Sequence, residues 1–171
     1  MDSSASKDRK FRTAVRIAVQ SVLIALLIGV DHALKLWAQR ALGGGRVLQA
    51  DGFMALRYQE NSGAAFSMLS GRTSVLIWLT GAVLLGCIVY LFLGRSGSRL
   101  TDAALLLVVA GGAGNLIDRI RLGYVIDYIE PLFVNFAVFN FADCLITVGA
   151  ALLLVWAILG ARRDKRGKEK P

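Results

Sequence analysis

Long uncharged stretches alternate with charged segments along the chain, and four stretches approach the length of a membrane-spanning helix. The uncharged residues are 17–30, 73–94, 103–117 and 144–161. A helix rises about 1.5 Å per residue and needs about 20 residues to cross roughly 30 Å of hydrocarbon. Polar residues placed at the interface extend the shorter stretches to that length. The pattern therefore predicts four transmembrane helices, at about residues 14–34, 73–94, 100–117 and 140–161.

The segment between the first two spans, about residues 41–69, is soluble in character. Within it, the runs 47–50 and 53–58 flank Asp51-Gly52, a pair that suits a tight turn between two short strands. The chain has no internal repeat and no low-complexity linker that would separate a second domain. We predict a single membrane α-helical domain, residues 1–171, with a small extracytoplasmic β-hairpin between helices 1 and 2.

Composition and charge support a membrane protein and orient it. Hydrophobic residues make up 56% of the 171 residues and charged residues 19%, against about 25% charged in soluble domains. Thirteen of the 20 Lys and Arg lie in the tails 1–13 and 162–171, at Arg16, or in the link between spans two and three. The positive-inside rule then places both termini in the cytoplasm. Because these charges are split between separate segments, we expect no nucleic-acid partner, and we interpret the first span as an uncleaved anchor.

Polar residues at apolar depth are the informative ones in such a protein. Span one ends in Asp31 and Lys35, one helical turn apart, and span three ends in the cluster Asn115, Asp118 and Arg119. Span four begins with Asn140, Asp143 and Thr147, which helical spacing places on one stripe. One interpretation is structural: these residues cap helices and pair with each other, Asp31 with Lys35 and Asp118 with Arg119.

Asp127 and Asp143 allow a second interpretation, because neither has a cation next to it in sequence. Two carboxylates in a poorly hydrated site cannot both ionise cheaply, so one keeps its proton. Such a pair can activate water against an amide: the ionised carboxylate takes the proton of water while the protonated one polarises the carbonyl. Asp143 follows Asp127 by 16 positions in the sequence, and spacing alone does not bring the two together.

Four blocks along the chain resemble the successive motifs of the lipoprotein signal peptidase family, also called type II signal peptidases. In order they read NSGAAFS from Asn61, GGAGNLIDR from Gly111, GYVIDYI from Gly123 and FNFAD from Phe139. Four long blocks in one order are far more specific than a single motif. The resemblance extends from Asp31 to about Gly149, with the four-span layout around it.

The resemblance implies a bacterial inner-membrane aspartic endopeptidase that removes the signal peptide from prolipoproteins. Cleavage would fall just before the diacylglyceryl-modified cysteine, at a site near the outer membrane face. Asp127 and Asp143 match the family's catalytic pair. The residues that match its substrate-binding or supporting positions are Asn61, Gly63, Asn115, Arg119, Asn140, Asp31, Lys35 and Asp118. The expected partners are prolipoproteins and the lipid bilayer, the expected oligomeric state is a monomer, and no cofactor or metal is expected.

Some features depart from this scheme or compete with it. The first block usually has Gln after its Asp, whereas this chain has His32, the only histidine; we expect it to lie at the interface without a role. Cys144 is expected to act as a small hydrophobe. The competing function is a non-enzymatic membrane protein that binds lipidated peptides, or a small transporter. A transporter should carry charges near the midplane of its spans, whereas here the acids cluster at one face.

Overall fold

Four long α-helices and a small antiparallel sheet make up the fold. The computed structural model describes residues 2–50, 52–63, 72–93 and 98–168. In chain order the elements are α1 (Asp2–Leu42), β1 (Val47–Ala50), β2 (Met54–Asn61), α2 (Thr73–Phe92), α3 (Arg99–Leu122), β3 (Val125–Pro131) and α4 (Phe141–Lys168). Each helix contains a stretch long and apolar enough to cross a membrane. The predicted fold class, four transmembrane helices with a small β unit, is confirmed.

Three helices extend beyond the predicted spans, and one of them is α4, which continues to Lys168. The first contains 41 residues, and the third runs on to Leu122, where Gly123 ends it with a positive φ of 84°. A helix need not end where the hydrocarbon ends, because Lys, Arg and Ala are good helix formers in water as well. As a result Lys35 and Asp118 lie within helices. Residue 94 of the second predicted span, residues 51 and 64–69 of the predicted β segment, and residues 1 and 169–171 of the predicted tails lie outside the described residues.

The third helix lies at the centre of the bundle and packs against the other three. Glycines make this close packing possible. The α-carbon of Gly111 lies so near the backbone of α4 that an added Cβ would meet the carbonyl oxygen of Ala142, and at Gly149 it would lie 2.7 Å from that of Ala104. Small residues at helix contacts allow such approach in lipid. The outer faces of the bundle carry large apolar side chains such as Trp78 and Leu154, which are 79% and 62% exposed, as expected for surfaces in contact with acyl chains.

The sheet covers one end of the bundle, where α1 and α3 end and α2 and α4 begin. We call this the sheet end. Strand β2 is central, and β1 and β3 pair with it on either side, both antiparallel. The first pair is the predicted hairpin: Ala50 pairs with Met54, and Gly52 takes a positive φ of 72° in the connection, a conformation that glycine adopts at little cost.

The third strand was not predicted from the sequence. Its first four residues, 125–128, are all buried, so they lack the alternation of polar and apolar positions that marks a strand with one wet face. After β3 the chain turns back, and Phe139 pairs with Ile129: the N–H of each donates to the carbonyl oxygen of the other, at 3.0 Å and 2.8 Å. This return brings the start of α4 alongside β3.

Candidate active site

Asp127 lies within β3 and is almost fully buried, with 1% of its surface exposed. Its two carboxylate oxygens accept hydrogen bonds from two asparagine amides. Asn61 Nδ2, at the end of β2, donates to Oδ2 at 2.9 Å, and Asn140 Nδ2 donates to Oδ1 at 2.6 Å. The first bond follows from the sheet register, in which Asn61 pairs with Val125 on the neighbouring strand. The sheet therefore sets the position of this carboxylate.

Asp143 occupies the first turn of α4, and Asn140 precedes that helix as its cap. The two residues bond reciprocally: Asn140 Oδ1 accepts the Asp143 N–H at 3.0 Å, and Asp143 Oδ2 accepts the Asn140 N–H at 3.2 Å. This is the geometry of a capping box, with Asp in place of the usual Glu. The remaining oxygen of Asp143, Oδ1, accepts a hydrogen bond from Asn115 Nδ2 at 2.8 Å. The capping box at the start of α4 and the side chain of Asn115 on α3 together hold the carboxylate of Asp143 in place.

Asn140 is the residue that joins the two aspartates. Its side chain is fully buried, and it contacts Asp127 through Nδ2 and Asp143 through Oδ1. Both carboxylates line the same cleft. The structure thus brings together the two acids that sequence spacing left apart, because Phe139 pairs with Ile129 and so places Asn140 beside β3.

Burial raises the pKa of Asp127 from 3.8 to about 6. The hydrogen bonds from Asn61 and Asn140 lower this pKa, while the nearby carboxylate of Asp143 raises it. Burial has the largest effect because a charge in a poorly hydrated site loses its solvation. Asp127 therefore holds a proton at pH values where an exposed aspartate has lost it.

A second polar cluster lies behind this pair, around the ammonium group of Lys35. Its Nζ lies 2.8 Å from Asp31 Oδ2 and 2.9 Å from Asp118 Oδ2, and it donates to Asn115 Oδ1 at 2.9 Å. Asp31 also accepts the N–H of Ala142 on α4 at 3.0 Å. The pairing of Asp31 with Lys35 expected from their spacing is present. The cluster connects α1, α3 and the start of α4.

The expected pairing of Asp118 with Arg119 is wrong. Adjacent helical residues point about 100° apart, so Asp118 faces Lys35 on α1 while Arg119 turns toward the cleft. There Arg119 Nη2 donates to the carbonyl oxygen of Gly63 at 2.8 Å. The N–H of Gly63 in turn donates to Asn61 Oδ1 at 3.0 Å. Arg119 Nε is buried and has no hydrogen-bond partner among the described residues.

The cleft around the two aspartates has a volume of about 570 Å³ and two kinds of wall. Asn61, Asn115 and Arg119 line it together with the carboxylates, whereas its other walls are mostly apolar. The latter comprise Val125, Phe136, Ala137, Val138, Phe139, Cys144, Ile146, Thr147 and Val148. The cleft can therefore hold a ligand that presents a polar backbone at one end and apolar groups at the other.

Sequence reasoning missed the apolar wall formed by residues 136–139. The aromatic spacing of Phe133, Phe136 and Phe139 just before the fourth span was the available signal. His32 lies at the edge of the polar cluster around Lys35. Its Nε2 is 2.8 Å from Arg121 Nη1, and its Nδ1 is 4.0 Å from Asp118 Oδ1. Within the described ranges no group of three or more His, Cys, Asp or Glu side chains could hold a metal ion.

Comparison with known proteins identifies a family for most of the chain. The sequence model of the family described as signal peptidase (SPase) II matches residues 23–159. Proteins named lipoprotein signal peptidase from Streptococcus thermophilus (strain CNRZ 1066) and Streptococcus pyogenes serotype M1 are 37% and 40% identical to this chain over 141 residues. These alignments cover 82% of this chain and 92% and 91% of those proteins.

Two solved structures, both described as a bacterial membrane enzyme, share the fold. One has a TM-score of 0.80 at 26% identity and covers 91% of this chain and 94% of the other. The second has a TM-score of 0.74 at 26% identity and covers 82% and 93%. The family match and the sequence identity to relatives extend over the helices, the strands and the cleft described above. This chain belongs to the signal peptidase II family of membrane proteases.

Proposed function

We propose that this protein is a membrane aspartic endopeptidase that removes the signal peptide from diacylglyceryl-modified bacterial prolipoproteins. It cuts on the N-terminal side of the lipidated cysteine, with water activated between Asp127 and Asp143. The observation that carries the proposal is the placement of these two carboxylates at one cleft, joined by the buried side chain of Asn140. The name of the relatives, lipoprotein signal peptidase, supports the same class of substrate.

The two acids take different roles in this chemistry. Asp127, whose pKa is raised to about 6, carries the shared proton, and Asp143 is the general base. Asp143 takes a proton from water as the water oxygen bonds to the scissile carbonyl carbon, and Asp127 donates its proton to the carbonyl oxygen. The tetrahedral gem-diol intermediate collapses when the peptide C–N bond breaks. The leaving nitrogen receives a proton from Asp143, and one hydroxyl of the intermediate returns its proton to Asp127 as the carboxyl group forms. The products are a peptide carboxylate and a cysteine with a free amino group.

The walls of the cleft suit a lipidated peptide. Asn61, Asn115 and Arg119 lie around Asp127 and Asp143, which we call the dyad. The buried Nε of Arg119 is available to bind a peptide carbonyl. The apolar walls, from Phe136 to Val148, accept the aliphatic side chains that precede the cysteine. The acyl chains of the diacylglyceryl group remain in the bilayer beside the cleft.

The orientation in the membrane follows from charge. Because the basic tails and the basic link fall on one side of a four-span protein, that side is cytoplasmic by the positive-inside rule. The sheet end, with both aspartates, then lies at the outer face of the bacterial inner membrane. This is the side on which exported prolipoproteins present their modified cysteine, and we propose that the enzyme acts there as a monomer.

The test compares wild type with Asp127→Asn and Asp143→Asn, purified in detergent. Each protein is incubated with one prolipoprotein in its diacylglyceryl-modified form and in its unmodified form. The matched control is Asp102→Asn, since this carboxylate lies at the opposite end of α3, near Arg16. We expect wild type and the control to cleave only the lipidated form, and neither dyad variant to cleave it.

Two outcomes contradict the proposal in different ways. If no protein cleaves but folded wild type and both variants bind the lipidated substrate, the chain is a binding protein and not an enzyme. If the dyad variants cleave at the wild-type rate, the enzyme uses other groups. Thermal unfolding of each variant separates a lost activity from a lost fold.

A further inference from the structure

The side-chain oxygen of each of the three asparagines around the dyad accepts a hydrogen bond from a group that can only donate. Asn61 Oδ1 accepts the backbone N–H of Gly63, and Asn140 Oδ1 accepts the backbone N–H of Asp143. Asn115 Oδ1 accepts from the ammonium group of Lys35 at 2.9 Å and also from Asn140 Nδ2 at 3.2 Å. An asparagine amide has a donor end and an acceptor end, so fixing its oxygen also fixes where its NH₂ group points.

In all three cases the NH₂ group then faces an aspartate of the dyad. Asn61 and Asn140 donate to Asp127, at 2.9 Å and 2.6 Å, and Asn115 donates to Asp143 at 2.8 Å. Reversing an amide would place its oxygen against a carboxylate oxygen, which is repulsive. The arrangement of three donors is therefore fixed by the groups behind the asparagines.

Lys35 differs from the other two anchors because it is a side chain on another helix. A lysine ammonium has three N–H donors and no acceptor, so the atom of Asn115 that faces it must be the oxygen. The ammonium is itself held between Asp31 and Asp118, and all three residues are at least 98% buried. Its place is therefore fixed independently of any ligand in the cleft.

We propose that Lys35 is a positioning residue for catalysis, which acts through Asn115. Its ammonium gives the shorter and charged one of the two hydrogen bonds to Asn115 Oδ1, the other coming from Asn140 Nδ2. It thereby orients the Asn115 amide so that Nδ2 donates to Asp143 and keeps this carboxylate in place as the general base. The inference rests on the proposed function for its catalytic consequence, whereas the amide orientation itself does not depend on it. Lys35 lies behind Asn115 and does not line the cleft, so its effect should appear in kcat and not in KM.

Replacing Lys35 alone would leave Asp31 and Asp118 without their shared cation, and this variant could fail to fold. The main test therefore uses the charge-balanced double variant Lys35→Met with Asp118→Asn. Its matched control is Asp118→Asn alone, in which the contact between Lys35 and Asn115 is retained. We expect the double variant to show a kcat about 100-fold below that of the control with little change in KM, as for a misplacement of about 1 Å at a reacting group.

A double-mutant cycle with Asn115→Leu shows whether Lys35 acts through Asn115. If it does, adding Lys35→Met to the variant that already carries Asn115→Leu and Asp118→Asn lowers kcat by less than about twofold, because the donor is already gone. A further loss comparable to that in the Asn115-containing protein would overturn the proposal. It would show that Lys35 contributes by another route.

A second variant keeps Lys35 in place and tests only the NH₂ group of Asn115, which donates to Asp143. Asn115→Asp retains an oxygen toward Lys35 but replaces the NH₂ group that faces Asp143 with an oxygen. We expect its kcat to fall as far as that of Asn115→Leu. If Asn115→Asp cleaves at the wild-type rate, the donation to Asp143 is not required and the proposal is overturned.

The orientation of the Asn115 side-chain amide can also be measured without an activity assay, by NMR of protein labelled with ¹⁵N-asparagine. The Asn115 NH₂ signal, assigned by its absence in Asn115→Leu, should shift in the charge-balanced variant but not in Asp118→Asn. An unchanged signal overturns the proposal. If wild type cleaves no prolipoprotein but this shift is observed, the proposed function fails while the orientation by Lys35 stands.

Discussion

Gly111→Ala tests whether the packing of α3 against α4 sets the geometry of the dyad. A Cβ at this position would meet the backbone oxygen of Ala142 and would lie 3.0 Å from Ile146 Cγ1 and 3.1 Å from Leu145 Cβ. Carbon atoms pack best at about 3.5–4.0 Å. The two helices therefore have to separate by about 0.5–1 Å in the variant.

The contact between α3 and α4 also includes the hydrogen bond from Asn115 Nδ2 to Asp143 Oδ1. At 2.8 Å this bond is of good length, and the separation would stretch it to about 3.3–3.8 Å, at or past the limit of a hydrogen bond. We expect overpacking to cost about 1–3 kcal/mol of stability. A misplacement of about 1 Å at a reacting group can cost about 100-fold in rate, and we expect kcat/KM to fall 10- to 100-fold.

The assay measures kcat/KM on a lipidated prolipoprotein in detergent, together with the midpoint of thermal unfolding. The matched control is Gly81→Ala on α2, the same chemical change where nothing lies within 4 Å of the new Cβ. The control should keep wild-type activity and stability. The reasoning is refuted if Gly111→Ala behaves like the control, and the link from packing to the dyad is refuted if Gly111→Ala loses stability but not activity.

Three further predictions concern protonation, His32 and metal ions. Burial raises the pKa of Asp127 from 3.8 to about 6. The contribution of the protonated Asp127 to the free energy of unfolding is therefore complete below about pH 4 and is lost as pH rises through about 6. The unfolding midpoint of wild type should thus fall relative to that of Asp127→Asn between about pH 4 and 7; a constant difference would contradict this. His32→Gln should keep kcat/KM within about twofold, because a Gln carbonyl can accept from Arg121 as His32 Nε2 does; a tenfold loss would give His32 a role. EDTA should not reduce cleavage, because the part of the chain that the structure describes holds no group of three or more His, Cys, Asp or Glu side chains that could bind a metal ion. Loss of activity restored by Zn²⁺ would show the opposite.

Much of the fold could be predicted because its signals are local. Uncharged stretches of helix length and a Gly52 turn between two short runs depend on neighbouring residues alone, and they gave the four helices and the first hairpin. The pairing of Asp31 with Lys35 was accessible for the same reason, because residues four apart on a helix face the same side. The third strand was not accessible, since both its faces are covered and its sequence reads simply as apolar.

The sequence by itself determined which end of the bundle carries the polar residues, and the motif resemblance singled out Asp127 and Asp143. Only the tertiary structure decided which of these residues meet. Asp118 contacts Lys35 on another helix and not its neighbour Arg119, because adjacent residues of a helix diverge. The two aspartates share Asn140 because the chain folds back on β3 before α4 begins. Such contacts depend on how separate elements pack, and no spacing along one element encodes them.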